Sequence, residues 1–489
     1  MKGKTLGGCL TEYADGGYYP YHMPGHKRMG TLGGSFSEAL AASVRYDITE
    51  IDGFDDLHDP EGVLREAQLR AAALYGADAC YYSVNGSTAG ILTAVSAAVP
   101  EGGKIIMARN CHKAAYHSVY LRRLEPVYLY PGTVGDTQLA APVTAEQVEE
   151  ALKDNPDAKA VLIVSPTYDG VTADVERISE AVHRRNIPLI MDAAHGAHFG
   201  LHPGFPESPV RLGADLTVVS LHKTMPCPTQ TALLLSRGSR VPEERIRLFE
   251  RIYQTSSPSY LLMAAMDECI SEVQRKGAAM WDVFFREREA FLERCSGLLN
   301  LRILTDGTFE LGKTGEQLKF LMDPGKILIE TSKTCLTGKQ FYDILLERYH
   351  LQMEMAAGNY VTAIMTCCDR HEGWQRLAEA LLLTDRSGIG SDRQEERYRE
   401  YPLLEKAVSL AEALDAPKDC IALEDAEGMI SGSFINLYPP GIPIVVPGER
   451  ISREAVDIIM RYRQQNLPLQ GVDEGAITIL KYNSKGELQ

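Results

Sequence analysis

Four short segments carry side chains able to do covalent and acid–base chemistry in concert. The first, Asn85-Gly86-Ser87-Thr88, lies between the strand-like YYSV (81–84) and the helical run GSTAGILTAVSAAV (86–99). Free N–H groups at a helix start, with two hydroxyls, make a cradle for a phosphate; taken alone, the commoner reading is that Ser87 or Thr88 simply N-caps the helix. The second is Asp192 in LIMDAAHGAH, at the end of a predicted strand. A carboxylate there can pair with a buried cationic ring nitrogen that holds it ionised, or it can serve a turn. The third is Ser220-Leu221-His222-Lys223-Thr224, between DLTVVS and MPCPTQTALLL. Most lysines are solvated surface charges, but Lys223 is flanked by small and apolar residues, and a desolvated amine is a better nucleophile near neutral pH. The fourth is Asn110-Cys111-His112-Lys113, just past the strand-like IIMAR (105–109). The His112 imidazole can lie flat against an aromatic cofactor, or it can be a turn histidine satisfied by its neighbours.

In the chain order 87, 112, 192, 223 these groups are a phosphate cradle, a stacking ring, a carboxylate for a ring nitrogen and an amine for an aldehyde. That is the set pyridoxal 5′-phosphate requires: the lysine forms the internal aldimine, and the aspartate keeps the pyridinium nitrogen protonated so that the ring is an electron sink. No GxGxxG follows a strand, so a dinucleotide is not supported. His195 and His198 stand three apart, as a metal pair could, yet no third ligand and no HExxH accompanies them, and no metal is expected.

Groups so placed need a rigid frame. Residues 1–60, rich in Gly, Tyr and His, read as an arm. A helix is expected next, with Asp59 as N-cap, Pro60 in the first turn and apolar positions from Val63 and Leu64 through Ala67 and Ala71 to Leu74, ending at Gly76. Short apolar runs such as IIMAR, PVYLY, AVLIVS, PLIMDAA, DLTVVS and TALLLS then alternate with helical stretches. Such alternation indicates a mostly parallel sheet covered on both faces, hence an α/β large domain over 61–300. All four segments fall at carboxyl ends of strands, where open α/β sheets place their ligands. A helical stretch over about 242–298 closes this part. KILIET, LQMEM and YVTAIMT read as strands, with helices at 338–349 and 371–383, in a small α+β domain over 301–385. The polar segment 386–401 reads as a linker, and 402–489 as a smaller α+β C-terminal domain.

A chain of 489 residues with 45% apolar and 24% charged residues is an ordinary multi-domain globular composition, which excludes a disordered tail or a disulfide scaffold. The formal charge of −16 repels phosphates, so neither nucleic acid nor an anionic membrane surface is an expected partner. No run approaches the roughly 18 apolar residues of a membrane span, and no apolar h-region follows the basic start. Ten cysteines without a CxxC pair fit reduced thiols. The cytoplasm is the expected location.

HMPGHK (22–27), DITEIDGFDDLHDPEG (47–62), NGSTAG (85–90), RNCHKA (109–114), DAAHGAH (192–198), SLHKT (220–224), TSSPSY (255–260) and YPPGIPIVVPGE (438–449), in that order, make the chain resemble the Orn/Lys/Arg decarboxylase family. The resemblance runs over nearly the whole chain. It implies a fold-type I, aspartate-aminotransferase-like large domain with a mostly parallel seven-stranded sheet, plus the C-terminal domain. Because HMPGHK comes almost at once, the chain resembles the short form without an N-terminal wing domain, which implies a homodimer or tetramer rather than a large decamer.

By the same resemblance Lys223 is the Schiff-base lysine, Asp192 the partner of the pyridine nitrogen and His112 the stacking ring. Gly86, Ser87 and Thr88, joined by Ser220 and His222, hold the phosphate. His195 lies near the ring's phenolic oxygen or the substrate carboxylate. Ser256 and Ser257 reach toward the neighbouring active site of a dimer, Glu449 accepts the distal cation of the substrate, and His22 and His26 line the cleft. The implied reaction is decarboxylation of arginine, lysine or ornithine to agmatine, cadaverine or putrescine through a quinonoid, with Lys223 or His222 returning a proton to Cα. Such amines belong to polyamine biosynthesis. An aminotransferase on the same scaffold would share Lys223 and Asp192. A non-catalytic homologue would be expected to lack one of them, and a metal hydrolase would rest on His195 and His198 alone.

Overall fold

The computed structural model describes residues 4–17, 24, 27, 42–134, 137, 139–305, 307–311, 316–390, 402–438 and 441–481. His22, His26 and residues 391–401 of the expected linker lie outside the described residues.

Strands β1 (Ala79–Ser83), β2 (Lys104–Ala108), β3 (Glu125–Leu129), β4 (Ala160–Val164), β5 (Leu189–Asp192), β6 (Leu216–Ser220) and β7 (Ala232–Ser236) form one seven-stranded sheet in the order β1-β7-β6-β5-β4-β2-β3. β2 runs parallel to β3 and β4, and β5 parallel to β6, while β7 is antiparallel to both its neighbours. The runs KIIMA, AVLIV and LTVVS are buried almost throughout. They show no polar alternation because both faces of such a sheet are covered. The α/β class and the mostly parallel seven-stranded sheet are as expected.

The chain forms two compact units, Met1–Ala98 with Pro188–Trp281, and Val99–Ile187 with Asp282–Gln489. In the first, register aligns three chemically interesting strand ends. Ser83 at the end of β1 and Ser220 at the end of β6 both stand opposite Ala232 of β7. Asp192, the last residue of β5, lies beside Val218 of β6. With strands spaced ~4.8 Å apart, these ends share one edge of the sheet. The second unit adds a four-stranded antiparallel sheet built from Met355–Ala357, Tyr360–Ile364, Lys326–Glu330 and Arg302–Leu304 in that order. Near its end the helix Arg453–Gln464 buries Val456, Ile459 and Tyr462 against Ile435 and Val445 of two short strands.

Several local expectations differ from what forms. The helix Val63–Tyr75 is not capped by Asp59. Asp55 does it from farther upstream, its carboxylate accepting from Glu61 N (2.9 Å), Gly62 N (2.7 Å) and Leu64 N (3.0 Å). The intervening turn brings it over the open amides, and its charge suits the positive end of the helix dipole. The stretch 242–298 is three helices, Glu243–Tyr253, Tyr260–Lys276 and Ala279–Arg294, the second ended by Gly277 at φ +56°. LQMEM contributes only Met355 to a strand, because His350 ends the preceding helix in the left-handed region and Leu351 N still donates to Leu345 O. GTFELGKT (307–314) spells the letters of a phosphate loop; its first five residues are the strand Gly307–Leu311, paired antiparallel with Glu316–Phe320, and residues 312–314 lie outside the described residues.

The expected arm contains a helix, Leu6–Asp15, N-capped by Thr5 and burying Leu6, Cys9 and Leu10. Its anchor is Asp267, whose fully buried carboxylate takes Leu6 N (2.8 Å) and a bidentate Arg70 guanidinium (2.7–3.0 Å). Asp267→Ala strands both donors, and is expected to lower stability by about 3 kcal/mol, read from the urea midpoint. An unchanged midpoint would show that the arm helix contributes nothing to the unit.

Candidate active site

The first unit assembles most of the sequence-predicted residues. β1 ends at Ser83, whose hydroxyl donates to Gly86 O (2.8 Å), and Gly86 turns the chain at φ +74° into the helix Gly86–Ala98. A side chain at Gly86 would be strained by that φ. Ser87 and Thr88 therefore sit inside the first turn rather than at the cap, where backbone N–H groups have no helical acceptor. Residues 89–91 and 93–97 of this helix are buried, but Asn85 and Thr88 are exposed and Ser87 half-exposed. The anion-seeking end is open while the body is locked in the core.

Lys223 rides on a single helical turn, Leu221–Thr224, directly after β6. Its Nζ lies 3.0 Å from His195 Nε2. Since an ammonium only donates, His195 accepts at Nε2. His222 is fixed by its other face: Nδ1 stands 3.0 Å from Thr231 O. A carbonyl only accepts, so Nδ1 carries the proton and Nε2 offers a lone pair. Burial pushes the His222 pKa down, opposed by its bond to Thr231 and aided by Lys223, which keeps the ring neutral. Leu221 N also donates to Thr231 O (3.0 Å), so this turn is pinned to the start of β7.

Asp192 is almost fully buried, with Ala194 N donating to its Oδ1 (3.2 Å). Burial pushes its carboxyl pKa up, while Lys223 and the Ala194 amide pull it back. A carboxylate so placed gains from a cation at its free oxygen. The Ser220 hydroxyl is fully buried and has no hydrogen-bond partner among the described residues, an arrangement that costs free energy unless a further group arrives. An open helix start, an orphaned hydroxyl, a buried carboxylate and an amine at one sheet edge fit pyridoxal 5′-phosphate. His198 does not join them; its ring packs edge-on against Phe199, Phe205 and near Trp281. Ser256 and Ser257 are exposed in the loop after Glu243–Tyr253, where Thr255 O sits 2.8 Å from His58 Nε2.

Two further predicted residues belong to the second unit. His112 caps the helix Lys113–Leu121, its Nδ1 accepting from Ala114 N (3.2 Å). Gly441, at φ +82°, comes so near that a Cβ there would lie 3.5 Å from the imidazole, and Lys113 N donates to Gly441 O (3.3 Å). Gly441 is thus held against His112. Glu449 is 1% exposed, and its Oε2 accepts from Arg109 Nη2 (3.0 Å) and Val446 N (2.8 Å). Its Oε1 has no partner among the described residues. Burial pushes the Glu449 carboxyl pKa up, and Arg109 and the Val446 amide act to lower it.

Arg109 went unremarked as a functional residue in the sequence. Fully buried, it donates to Pro443 O (2.6 Å), Ile444 O (3.1 Å) and Tyr116 Oη (3.1 Å), and lies over the rings of Tyr116 and Tyr128. It ties the segment bearing His112 to the YPPGIPIVVPGE segment. The available signal was an arginine directly after the apolar run IIMA (105–108), where a charge must be paired.

The family model for the Orn/Lys/Arg decarboxylase major domain matches residues 6–304, and that for the Orn/Lys/Arg decarboxylase C-terminal domain matches residues 392–468. The arginine decarboxylase of Bacillus subtilis (strain 168) is 30% identical over 479 residues, covering 96% of each chain. Lysine decarboxylase LdcA of Pseudomonas aeruginosa is 22% identical over 565 residues, covering 93% of this chain and 74% of that one. The constitutive lysine decarboxylase of E. coli superposes with a TM-score of 0.81 at 18% identity, over 97% of this chain and 82% of that one. An alanine–glyoxylate aminotransferase from Nostoc sp. shares the fold more distantly, with a TM-score of 0.51 at 16% identity over 68% of this chain and 89% of that one. Two domain models matched in order and a relative aligned nearly end to end mean that this chain belongs to the Orn/Lys/Arg decarboxylase family, a family of amino acid decarboxylases and therefore of lyases.

Proposed function

We propose that the protein decarboxylates a basic L-amino acid with pyridoxal 5′-phosphate, releasing CO₂ and the corresponding amine. The observation that carries this is the cluster at one edge of the sheet: Lys223 Nζ 3.0 Å from His195, buried Asp192, and the open helix start at Gly86. Bound pyridoxal phosphate supplies an aldehyde for an amine and a cationic ring into which the electrons of a breaking Cα–carboxylate bond can flow.

The chain's own residues do the rest. The amides of Gly86–Thr88 and the Ser220 hydroxyl hold the phosphate. Asp192 keeps the proton on the ring nitrogen. His112 supports the ring face, the role its motif assigns. Lys223 Nζ holds the cofactor and returns a proton to Cα, with His195 orienting the amine. His222 Nε2 has a lone pair to relay that proton. Ser256 and Ser257, being exposed, are available to a second copy in a homodimer.

Arginine is the first substrate to try, because relatives named arginine decarboxylase match at 30% identity and those named lysine decarboxylase at 22%. The test is CO₂ release from arginine, lysine and ornithine by purified, cofactor-loaded protein. Release from one of them, with the matching amine identified by mass spectrometry, is the expected result. Conversion to a 2-oxo acid without CO₂ would overturn decarboxylation in favour of amino transfer. Asp192→Asn is expected to reduce kcat on the order of 10²-fold, the scale of one preorganised charge, with cofactor still bound. Undiminished kcat would remove Asp192 from the reaction.

A further inference from the structure

Glu250 and Gln254 belong to no role so far described, yet both are buried polar residues, at 7% and 6% exposure. Glu250 lies in the last turn of the helix Glu243–Tyr253 and Gln254 is its C-cap residue. The Gln254 amide is saturated. Its Oε1 accepts from Val84 N (2.8 Å), and its Nε2 donates to Tyr82 O (3.1 Å) and to a Glu250 carboxyl oxygen.

Val84 and Tyr82 bracket the end of β1, two residues before Gly86. β1 is the edge of the sheet; Tyr82 and Ser83 pair with Leu233 and Ala232 of β7 on one side. On the other side no strand among the described residues meets the outward N–H and C=O groups, which alternate along an edge. The carboxamide of Gln254 fills that place as a peptide group would, with one acceptor and one donor in register. Few other side chains can do this. Glutamate would set a carboxylate oxygen against Tyr82 O, and a shorter or apolar residue would leave two buried backbone groups unpaired.

Glu250 reaches the other side of the cradle. The helix Gly86–Ala98, on which Thr93 is buried, packs against the helix that carries Glu250. Burial pushes the Glu250 carboxyl up to about 8, so near neutral pH it carries a proton and can accept from Gln254 without placing a bare charge in the core. The same two helices are also joined where the Tyr253 and Ser96 hydroxyls meet (3.0 Å) and where Arg245 donates to Ser96 O (3.1 Å). Strand and helix on either side of residues 84–86 are therefore both held by one short segment.

We propose that Glu250 and Gln254 form a buried clamp that sets the position of the Gly86–Thr88 amides, making Gln254 a positioning residue for the cofactor's phosphate. The inference rests on the reading of that helix start as a phosphate cradle. Gln254 touches neither substrate nor cofactor; it acts through the backbone of β1.

The test compares two probes on cofactor-stripped, full-length protein: pyridoxal 5′-phosphate and unphosphorylated pyridoxal, each titrated by its change in absorbance. The ratio of their dissociation constants isolates the phosphate contribution. In Gln254→Ala the ratio is expected to fall about tenfold, with the pyridoxal constant unchanged. Gln254→Glu keeps shape and volume and is expected to do the same, which guards against poor folding of the alanine variant. Circular dichroism establishes that the protein titrated is folded. A folded variant that keeps the wild-type ratio, or one that weakens both probes equally, overturns the clamp. Wild-type protein with no preference for the phosphorylated probe would overturn the cradle reading itself, and the clamp with it.

Discussion

Lys223→Ala is expected to abolish CO₂ release, by at least about 10³-fold, since proton transfer by one positioned group is alone worth ~10²–10⁴ and the covalent attachment is lost as well. The amine has no substitute nearby. The groups placed beside it are imidazoles: His195, whose Nε2 is 3.0 Å from Nζ, and His222, whose Nδ1 is committed to Thr231 O. Neither ring nitrogen can replace a primary amine in joining an aldehyde. The helix start at Gly86 and the Ser220 hydroxyl are untouched by the substitution, so pyridoxal phosphate should still bind, though without a covalent link. Borohydride reduction followed by peptide mass spectrometry separates the two effects. Wild-type protein should carry the reduced adduct on Lys223 and the variant on no residue. An adduct on another lysine, or activity within tenfold of wild type, would remove Lys223 from its role.

Glu449→Ala should unfold the protein far more easily, by about 3–5 kcal/mol, the cost of leaving one member of a buried ion pair alone. Arg109 is fully buried, and its guanidinium would keep the Pro443 and Ile444 carbonyls, the Tyr116 hydroxyl and the Tyr116 and Tyr128 rings. Those are neutral acceptors and cannot balance a desolvated charge. The urea midpoint measures this directly. Replacing both partners with apolar residues of similar size, Arg109→Met with Glu449→Leu, should cost less than the two single changes added together, because neither charge is then stranded. A further variant, Glu449→Gln, tests Glu449 as the acceptor of a substrate's distal cation. A carboxylate whose task is substrate binding raises KM on Glu449→Gln and leaves the unfolding midpoint where it was. A fall in midpoint with KM unchanged assigns Glu449 to the Arg109 pair instead.

Much of this protein was legible before any fold was in hand. Apolar runs of strand length separated by helical stretches predict a parallel sheet, because a strand buried on both faces has no polar positions to alternate. Asp192, Ser220 and Lys223 could be read at strand ends, since both the runs and their boundaries are local features. The motifs from HMPGHK to PGE, in order, carried the family. Local signals also misled where the chain was free to choose. Asp59 stood in the right place to cap a helix, but Asp55 does so from eight residues before Val63, because the turn between them decides which carboxylate meets the open amides.

What the sequence determined by itself is therefore the class of sheet, the residue types at the ends of its strands and the family. These depend on periodicity and on short motifs, which survive without knowledge of long-range contacts. Tertiary structure alone decided which polar groups face one another across hundreds of residues. Arg109 finds Glu449 across 340 positions, and Val84 finds Gln254 across 170. Each pairing exists because a buried charge or an edge-strand amide must find a partner, and many side chains elsewhere in the chain could have supplied it. The packing that brings one particular residue within 3 Å is a property of the whole fold.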